Sequence, residues 1–220
     1  MKVLEIWRYP VKTMAGERIN KTYLGPLGID GDRIVHVENA DGRVITSRSH
    51  PRFLGHKGTL DKHGKPLVDD RHWNSGEVAA DIEAIAGAGA KLIQYEGNGG
   101  ARFDVLPLLV ATDGAIAAFG YDGRRLRPNI VIGDVEGLTE RRWPGANLQI
   151  GNVVIGVQDL RGRCIMTSYD PDSLVQDKKI TQSIFERFDG KLALNCFVIK
   201  GGEISVGDEV NLELSRSKPF

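Results

Sequence analysis

Cysteine is scarce. The 220-residue chain carries two, Cys164 and Cys196, too few for a disulfide framework, and neither belongs to a CxxC pair. A reducing, cytoplasmic setting is the expectation. Net charge is missing as well: 29 Lys+Arg balance 29 Asp+Glu, so no global field draws the chain to nucleic acid or to an anionic membrane. Long apolar runs are absent. The longest, Val105 to Ala111, contains Pro107 and is far too short for a membrane span, and the charged, alternating start MKVLEIWRYPVK is unlike a signal peptide. No P-loop motif, no HExxH and no GxSxG occurs, and no complete GxGxxG follows a strand. These absences argue against P-loop nucleotide chemistry, HExxH zinc enzymes, serine hydrolases of the elbow type and dinucleotide binding.

What is there is a globular sequence with many turns. A chain of this length hides roughly 70% of its unfolded surface and needs no covalent staple. Apolar residues make up 41% and charged residues 26%, which excludes disorder. Glycine is in excess: 27 residues, about 12% of the chain against a usual ~7%, scattered without a collagen-like period. Strand patterns occupy Val3–Trp7, Arg33–Glu38 and Val44–Thr46, the last two joined as a hairpin through Asn39-Ala40-Asp41-Gly42. Residues 55–77 read as loops with short edge strands, and 79–90 as a weak helix discouraged by Gly87 and Gly89. A strand is expected over Lys91–Glu96 and a loop at Asn98-Gly99-Gly100. Thr112-Asp113 caps a helix that Gly120 ends. Asn129–Gly133 is a β run, Leu148–Asp159 a hairpin turning at Gly151-Asn152, and Asp177–Phe188 an amphipathic helix with Ile180, Ile184 and Phe188 on one face. Strands over 193–200 and 209–214 close the chain around Gly201-Gly202. The fold class is therefore mainly β with a few helices, in a β-barrel-like arrangement.

Charge is local. Basic runs stand at Arg124-Arg125-Leu126-Arg127, Arg141-Arg142 and Arg161-Gly162-Arg163; brought together they form an anion pocket, and kept apart they are solvated surface. Cys164 follows the third run, and adjacent cations favour the thiolate, the form that attacks electrophiles or ligates a metal. The alternative is a buried strand cysteine with its arginines facing away. Cys196, in Leu194-Asn195-Cys196-Phe197-Val198, reads as a small core hydrophobe. The five histidines lie between His36 and His72, in spacings that match no helical or zinc-finger ligand set; solvent-exposed loop histidines are the simpler reading than an all-His metal site. In Arg125-Leu126-Arg127-Pro128-Asn129, Pro128 biases Arg127 toward extended geometry, setting a guanidinium beside an amide able to grip a phosphate or a heterocycle edge. Tyr9-Pro10-Val11-Lys12-Thr13, Gly31-Asp32-Arg33 and Thr46-Ser47-Arg48 each place a cation or hydroxyl at a strand end.

In this order YPVKT, GIDGDR, ITSR, RLRPNIVI, RGRCIMTSYDPD and GGEISVGDEV resemble the MOSC domain (molybdenum cofactor sulfurase C-terminal domain), the family that includes amidoxime reducing components. The likeness runs from Val3 to about Leu214 and implies an N-terminal MOSC-type β-barrel portion, 1–100, packed as one unit with a MOSC core, 101–214. It implies molybdenum cofactor (molybdopterin), with Cys164 as the metal's thiolate ligand or as a carrier of sulfur. It further implies Lys12, Thr13, Arg33, Thr46 and Arg48 around the cofactor's phosphate, Arg127 and Asn129 on the pterin, and Arg161 and Arg163 on the anionic centre. Thr112 matches a helix-start position that supplies a hydroxyl to the cofactor, and Asp170 is a candidate proton relay.

The resemblance implies reduction of a small N-oxygenated substrate. The chain has no ferredoxin-like cysteine set or flavin fingerprint, so electrons come from a separate electron-transfer protein. A persulfide or cofactor carrier built on Cys164 is the second reading. A thiol hydrolase pairing Cys164 with a histidine is the third. Gly28, Gly31, Gly162, Gly201, Gly202 and Gly207 are expected to let backbone approach a ligand closely.

Overall fold

Alternation decides the first element. Val3 and Ile6 are fully buried on one face of the opening strand, and a bulge between Val3 and Glu5 adjusts the phase. The structure, a computed structural model, describes residues 1–95 and 102–214. Its elements in chain order are β1 (Lys2–Arg8), β2 (Glu17–Ile19), β3 (Lys21–Gly25), β4 (Gly28–Ile29), β5 (Val35–Glu38), β6 (Val44–Ile45), β7 (Gly58–Leu60), β8 (Pro66–Val68) and β9 (Arg71–His72). Next come α1 (Gly76–Ala86), β10 (Lys91–Gln94), β11 (Leu108–Thr112), α2 (Asp113–Phe119), β12 (Ile130–Gly133), β13 (Asn147–Ile150) and β14 (Val153–Gly162). The chain closes with α3 (Lys178–Phe188), β15 (Lys191–Lys200), β16 (Gly202–Ser205) and β17 (Val210–Glu213).

The fold is mainly β. Among the described residues an eight-stranded sheet runs in the order β17-β13-β14-β15-β11-β12-β1-β2, beside three three-stranded sheets, β10-β5-β6, β16-β3-β4 and β7-β8-β9. The barrel-like expectation is thus met by a large mixed sheet, not by one closed barrel. Its pairings are antiparallel except β11 with β12, a parallel pair joined through α2, the kind of crossover that parallel neighbours require. Apolar side chains divide accordingly. One core follows the large sheet, with Ile6, Leu108, Ile130, Leu148 and Leu194 fully or almost fully buried. A second gathers Val11, Met14, Val35, Phe53, Val78 and Ile82, and a third packs α3 against Phe119 and Leu126.

Helix ends follow their local chemistry. The Thr112 hydroxyl accepts from Ala115 N at 3.0 Å and Gly120 takes φ 77°, which bounds α2. Asp177 caps α3, whose buried face is Ile180, Ile184 and Phe188. Helix α1 starts earlier than expected, at Gly76, because Ser75 accepts from Val78 N. The strand expected over Lys91–Glu96 runs to Gln94; Glu96 and the expected loop at Asn98-Gly99-Gly100 lie outside the described residues. Strand β11 is the larger surprise, because Pro107 obscured it. The proline precedes the strand, where its missing N–H removes no ladder bond. No helix of the described residues is long and apolar enough to cross a membrane.

Candidate functional site

Where β1 ends, the chain passes from the first core to the second. Tyr9 O accepts from Arg33 N at 2.7 Å, Lys12 N donates to Val35 O at 2.7 Å, and Val11 bridges Val35. This crossing sets Lys12, Thr13 and Arg33 side by side. Arg127 arrives from a 3-10 turn at Gly123–Leu126 that runs into β12, and Arg161 and Gly162 from the end of β14. Cys164 follows in extended backbone, its carbonyl tied to Thr167 N at 3.1 Å and to the Thr167 hydroxyl at 2.9 Å. These ends face one cavity of about 140 Å³. Three of its residues, Thr13, Arg33 and Arg127, hold φ of 83°, 51° and 53°, so Arg127 is left-handed at the end of its 3-10 turn and not extended as the following Pro128 led one to expect. Left-handed backbone at a β-branched residue is costly, so the surrounding structure imposes it. The Thr13 hydroxyl is clamped by Ser47 N.

The electrostatics are one-sided. Lys12, Arg33, Arg48, Arg125, Arg127, Arg161 and Arg163 all line the cavity, and among the described residues Asp104 is the one carboxylate that does. It lies 3.2 Å from Lys12, 2.8 Å from Arg48 and 3.6 Å from Arg161. Burial pushes the Asp104 carboxyl up, but these three cations outweigh it and hold it below the ordinary carboxylate range. Arg163 is pushed down to about 10 by burial, with repulsion from Arg161 adding to the shift. It remains a cation at neutral pH. Its Nη2 donates to Leu126 O at 2.8 Å, while its Nε and that of Arg125 have no acceptor within the protein.

A pH dependence follows for Asp104. A depressed folded-state value means that its stabilisation is present above the unfolded value and lost as pH falls through the folded one. The Asp104→Asn variant is therefore expected to melt below the wild type at pH 7, both free of ligand. The gap should narrow below about pH 4. A constant gap in thermal melts between pH 3 and pH 7 would show that Asp104 is no counter-ion.

Tyr9 organises two of the cations. Its backbone N donates to the buried Asp32 carboxylate, which pairs with Arg33. Its ring carries the Arg127 guanidinium at 4.4 Å and that of Arg33 at 5.3 Å. Burial pushes the phenol up to about 12, so it stays protonated and donates to Pro128 O at 3.2 Å. Gly16 makes room for it: a Cβ there would stand 2.5 Å from the Tyr9 ring.

Of the residues singled out from sequence, Lys12, Thr13, Arg33, Thr46, Arg48, Arg127, Arg161, Arg163 and Cys164 meet at this cavity. Thr112 does not. Its hydroxyl caps α2 and lies 3.4 Å from the buried Glu140. Asn129 is fully buried, with its amide spent on Leu109 N, Trp7 O and Arg33, so it positions the wall of the cavity rather than lining it. Asp170 is turned away as well. It binds Arg125 at 2.7 Å and closes its own loop through Ser173, and bonds from Ser173 and Asp172 hold it below the ordinary range. A carboxylate so engaged is poorly suited to relaying protons.

Arg141 ties the end of α3 to β15 and does not line the cavity. No histidine lines the cavity, so nothing in its wall supports a thiol-hydrolase pairing with Cys164. Among the described residues no group of three or more His, Cys, Asp or Glu is placed to hold a metal. Cys196 is fully buried, and burial pushes its thiol up. Asp104, Arg125 and Met166 line the cavity but were not singled out as site residues. Arg125 stood within the recognised basic run, whereas Asp104 carries no local signal.

Residues 1–113 match the MOSC N-terminal beta barrel domain and residues 115–211 the MOSC domain. The chain belongs to the MOSC family. It is 23% identical over 233 residues to mitochondrial amidoxime reducing component 2 of Macaca fascicularis, covering 80% of this chain and 69% of that protein. It is 24% identical over 279 residues to mitochondrial amidoxime-reducing component 1 of Homo sapiens, covering 96% and 82%. The YUAD protein from Bacillus subtilis shares the fold at a TM-score of 0.54 and 12% identity, over 98% of this chain and 96% of that one.

MOSC domains are associated with the molybdenum cofactor, an anionic pterin with a phosphate and a sulfur-bound metal. The cavity suits such a group. Its cations outnumber its carboxylates, two buried guanidinium nitrogens lack acceptors, and a free thiol stands in the wall. Beside that thiol, Gly162 leaves a space in which a Cβ would meet nothing within 4 Å.

Proposed function

We propose that this MOSC protein binds the molybdenum cofactor and reduces N-oxygenated, chiefly N-hydroxylated, compounds with electrons from a separate redox protein. The observation that carries this reading is the free Cys164 thiol in the wall of a cavity lined by seven cations. Cys164, as thiolate, is the candidate metal ligand, since a soft sulfur donor matches a centre already held by sulfur. Lys12, Arg33 and Arg48, with the Thr13 and Thr46 hydroxyls, are positioned to take the phosphate. Buried dianions require such pairing. Arg127, held on Tyr9, faces the pterin, and Arg161 and Arg163 offset negative charge beside Cys164. The bound cofactor supplies a metal centre that exchanges two electrons. Overall, the N–O bond of the substrate takes up two electrons and two protons, releasing water and the reduced nitrogen compound. Both portions of the chain, 1–100 and 101–214, contribute walls to the cavity and would act as one unit. Two free cysteines suit a reducing, cytoplasmic setting.

The test is metal and pterin analysis of protein made in a cofactor-competent host, together with reduction of a hydroxamate by an artificial electron donor. One molybdenum and one pterin per chain with turnover are expected. A sulfur adduct on Cys164 without molybdenum would move the function to a carrier, and native protein lacking both metal and pterin would end the proposal.

Tyr9 provides a graded check. Tyr9→Leu removes both ring contacts and is expected to lower pterin content about tenfold, as two partly buried cation–π contacts imply. Tyr9→Phe keeps the ring and should retain most of the cofactor. Equal retention in both variants would show that the ring does not position the arginines.

A further inference from the structure

A second cavity, about 90 Å³, adjoins the first, and Arg125, Arg127 and Met166 line both. Its other walls differ in kind. Trp7, Tyr9, Leu54, Tyr169 and Pro171 give it an apolar, largely aromatic lining beside the guanidinium groups of Arg124, Arg125 and Arg127, of which the last two also line the Cys164 cavity. None of these apolar side chains is used by the cationic cradle described above except Tyr9, whose ring supports Arg127. The Arg125 side chain, nine-tenths buried, stands at the boundary; Asp170 pins it at 2.7 Å, and its Nε has no acceptor within the protein. Met166, which lines both cavities, is two residues beyond Cys164 in the 3-10 segment that Cys164 precedes.

An apolar cavity that shares a wall with a charged one selects for a molecule divided the same way. We propose that this second cavity seats the flat, apolar body of the substrate, while the N-hydroxylated end of the same molecule enters the Cys164 cavity. The proposal rests on the reading of function above and narrows it to N-hydroxylated compounds carrying an aromatic ring next to the reacting group. The occupant is argued from the lining: Trp7 and Tyr169 offer aromatic surface, Leu54, Met166 and Pro171 fill around a ring edge, and polarizable sulfur packs well against aromatic groups. Arg125, which lines both cavities, faces the polar junction of such a molecule.

Benzohydroxamate and acetohydroxamate share one reacting group and differ in body, phenyl against methyl. With cofactor-loaded protein and an artificial electron donor, each hydroxamate is reduced to its amide and water with two electrons and two protons. The expected wild-type kcat/KM favours benzohydroxamate by at least about tenfold, the size expected for a ring gaining an apolar pocket. Leu54→Trp fills the cavity and Tyr169→Ala opens it. Both should bring the ratio down by about fivefold or more, and because the ratio is read, a general loss of activity cancels. A wild-type ratio near one, or a ratio unmoved by both variants, overturns the proposal.

If neither hydroxamate is reduced, the functional reading fails separately, and binding decides the cavity. Benzamide is then the probe, followed by ligand-observed NMR on the full chain. Saturation transfer that Leu54→Trp abolishes supports the cavity, and no transfer to wild type overturns it.

Discussion

Replacing Cys164 by Ser is expected to abolish turnover of N-hydroxylated substrates while leaving pterin content close to wild type. Serine keeps the size of the side chain but exchanges a soft sulfur donor for a hard hydroxyl. Changes in groups that merely orient metal ligands cost roughly 10–100-fold, so loss of the ligand itself should cost on the order of 10³-fold in kcat. Binding survives because the phosphate and pterin contacts come from other residues: Lys12, Arg33, Arg48 and Arg127 stand on separate segments of the cavity wall. The experiment measures kcat, molybdenum and pterin in parallel. Activity within tenfold of wild type would remove Cys164 from the metal, and parallel loss of pterin would mean that the thiol holds the whole cofactor.

Arg163→Met is expected to move stability and cofactor binding in opposite directions. In cofactor-free protein Arg163 is a cation with an acceptor-less Nε, pressed by Arg161 and Arg127. An apolar side chain of similar length removes that burden, though it leaves Leu126 O without its donor. Substitutions of this type stabilise by roughly 1–4 kcal/mol, less about 1 kcal/mol for the lost hydrogen bond. In a chain of this size a remaining gain of about 1 kcal/mol corresponds to a rise in Tm of about 2–4 °C. Pterin content should fall about tenfold, since a buried anion loses a charge-assisted partner. Thermal melts of the cofactor-free form and pterin assays of the loaded form check the two halves. A fall in both would mark Arg163 as an ordinary structural residue.

The same logic explains what stayed hidden in the sequence. Strand β11 escaped because Pro107 broke its apolar run, although a proline just ahead of a strand disturbs nothing. Thr112 carried two readings at once, helix cap and cofactor hydroxyl, and one oxygen already serving Ala115 N and Glu140 is not free for the second. Asn129 follows Arg127 and Pro128 in the chain, which places it beside the site, but its amide faces backbone on β1 and β11. Gly162 shows no strain and no crowding, so its contribution is open space. At Gly31 a Cβ would come within 2.4 Å of Leu60 and φ is 76°, so the requirement there is the turn itself.

The sequence by itself determined the fold class, the two ends of α2, the buried face of α3 and the family, and it singled out Cys164 as the candidate ligand, because each is written in local spacing or in a contiguous motif. Only the tertiary structure decided which charges share a site. Zero net charge concealed seven cations converging from segments more than 100 residues apart, opposed among the described residues by Asp104 alone, from a segment with no motif of its own. The converse also held: Asn129 sits two positions after a motif arginine and Asp170 lies within the cysteine motif, yet neither lines the cavity. Proximity along the chain constrains the backbone, whereas a binding cavity depends on where strand ends meet and which hydrogen-bonding groups the fold has already used.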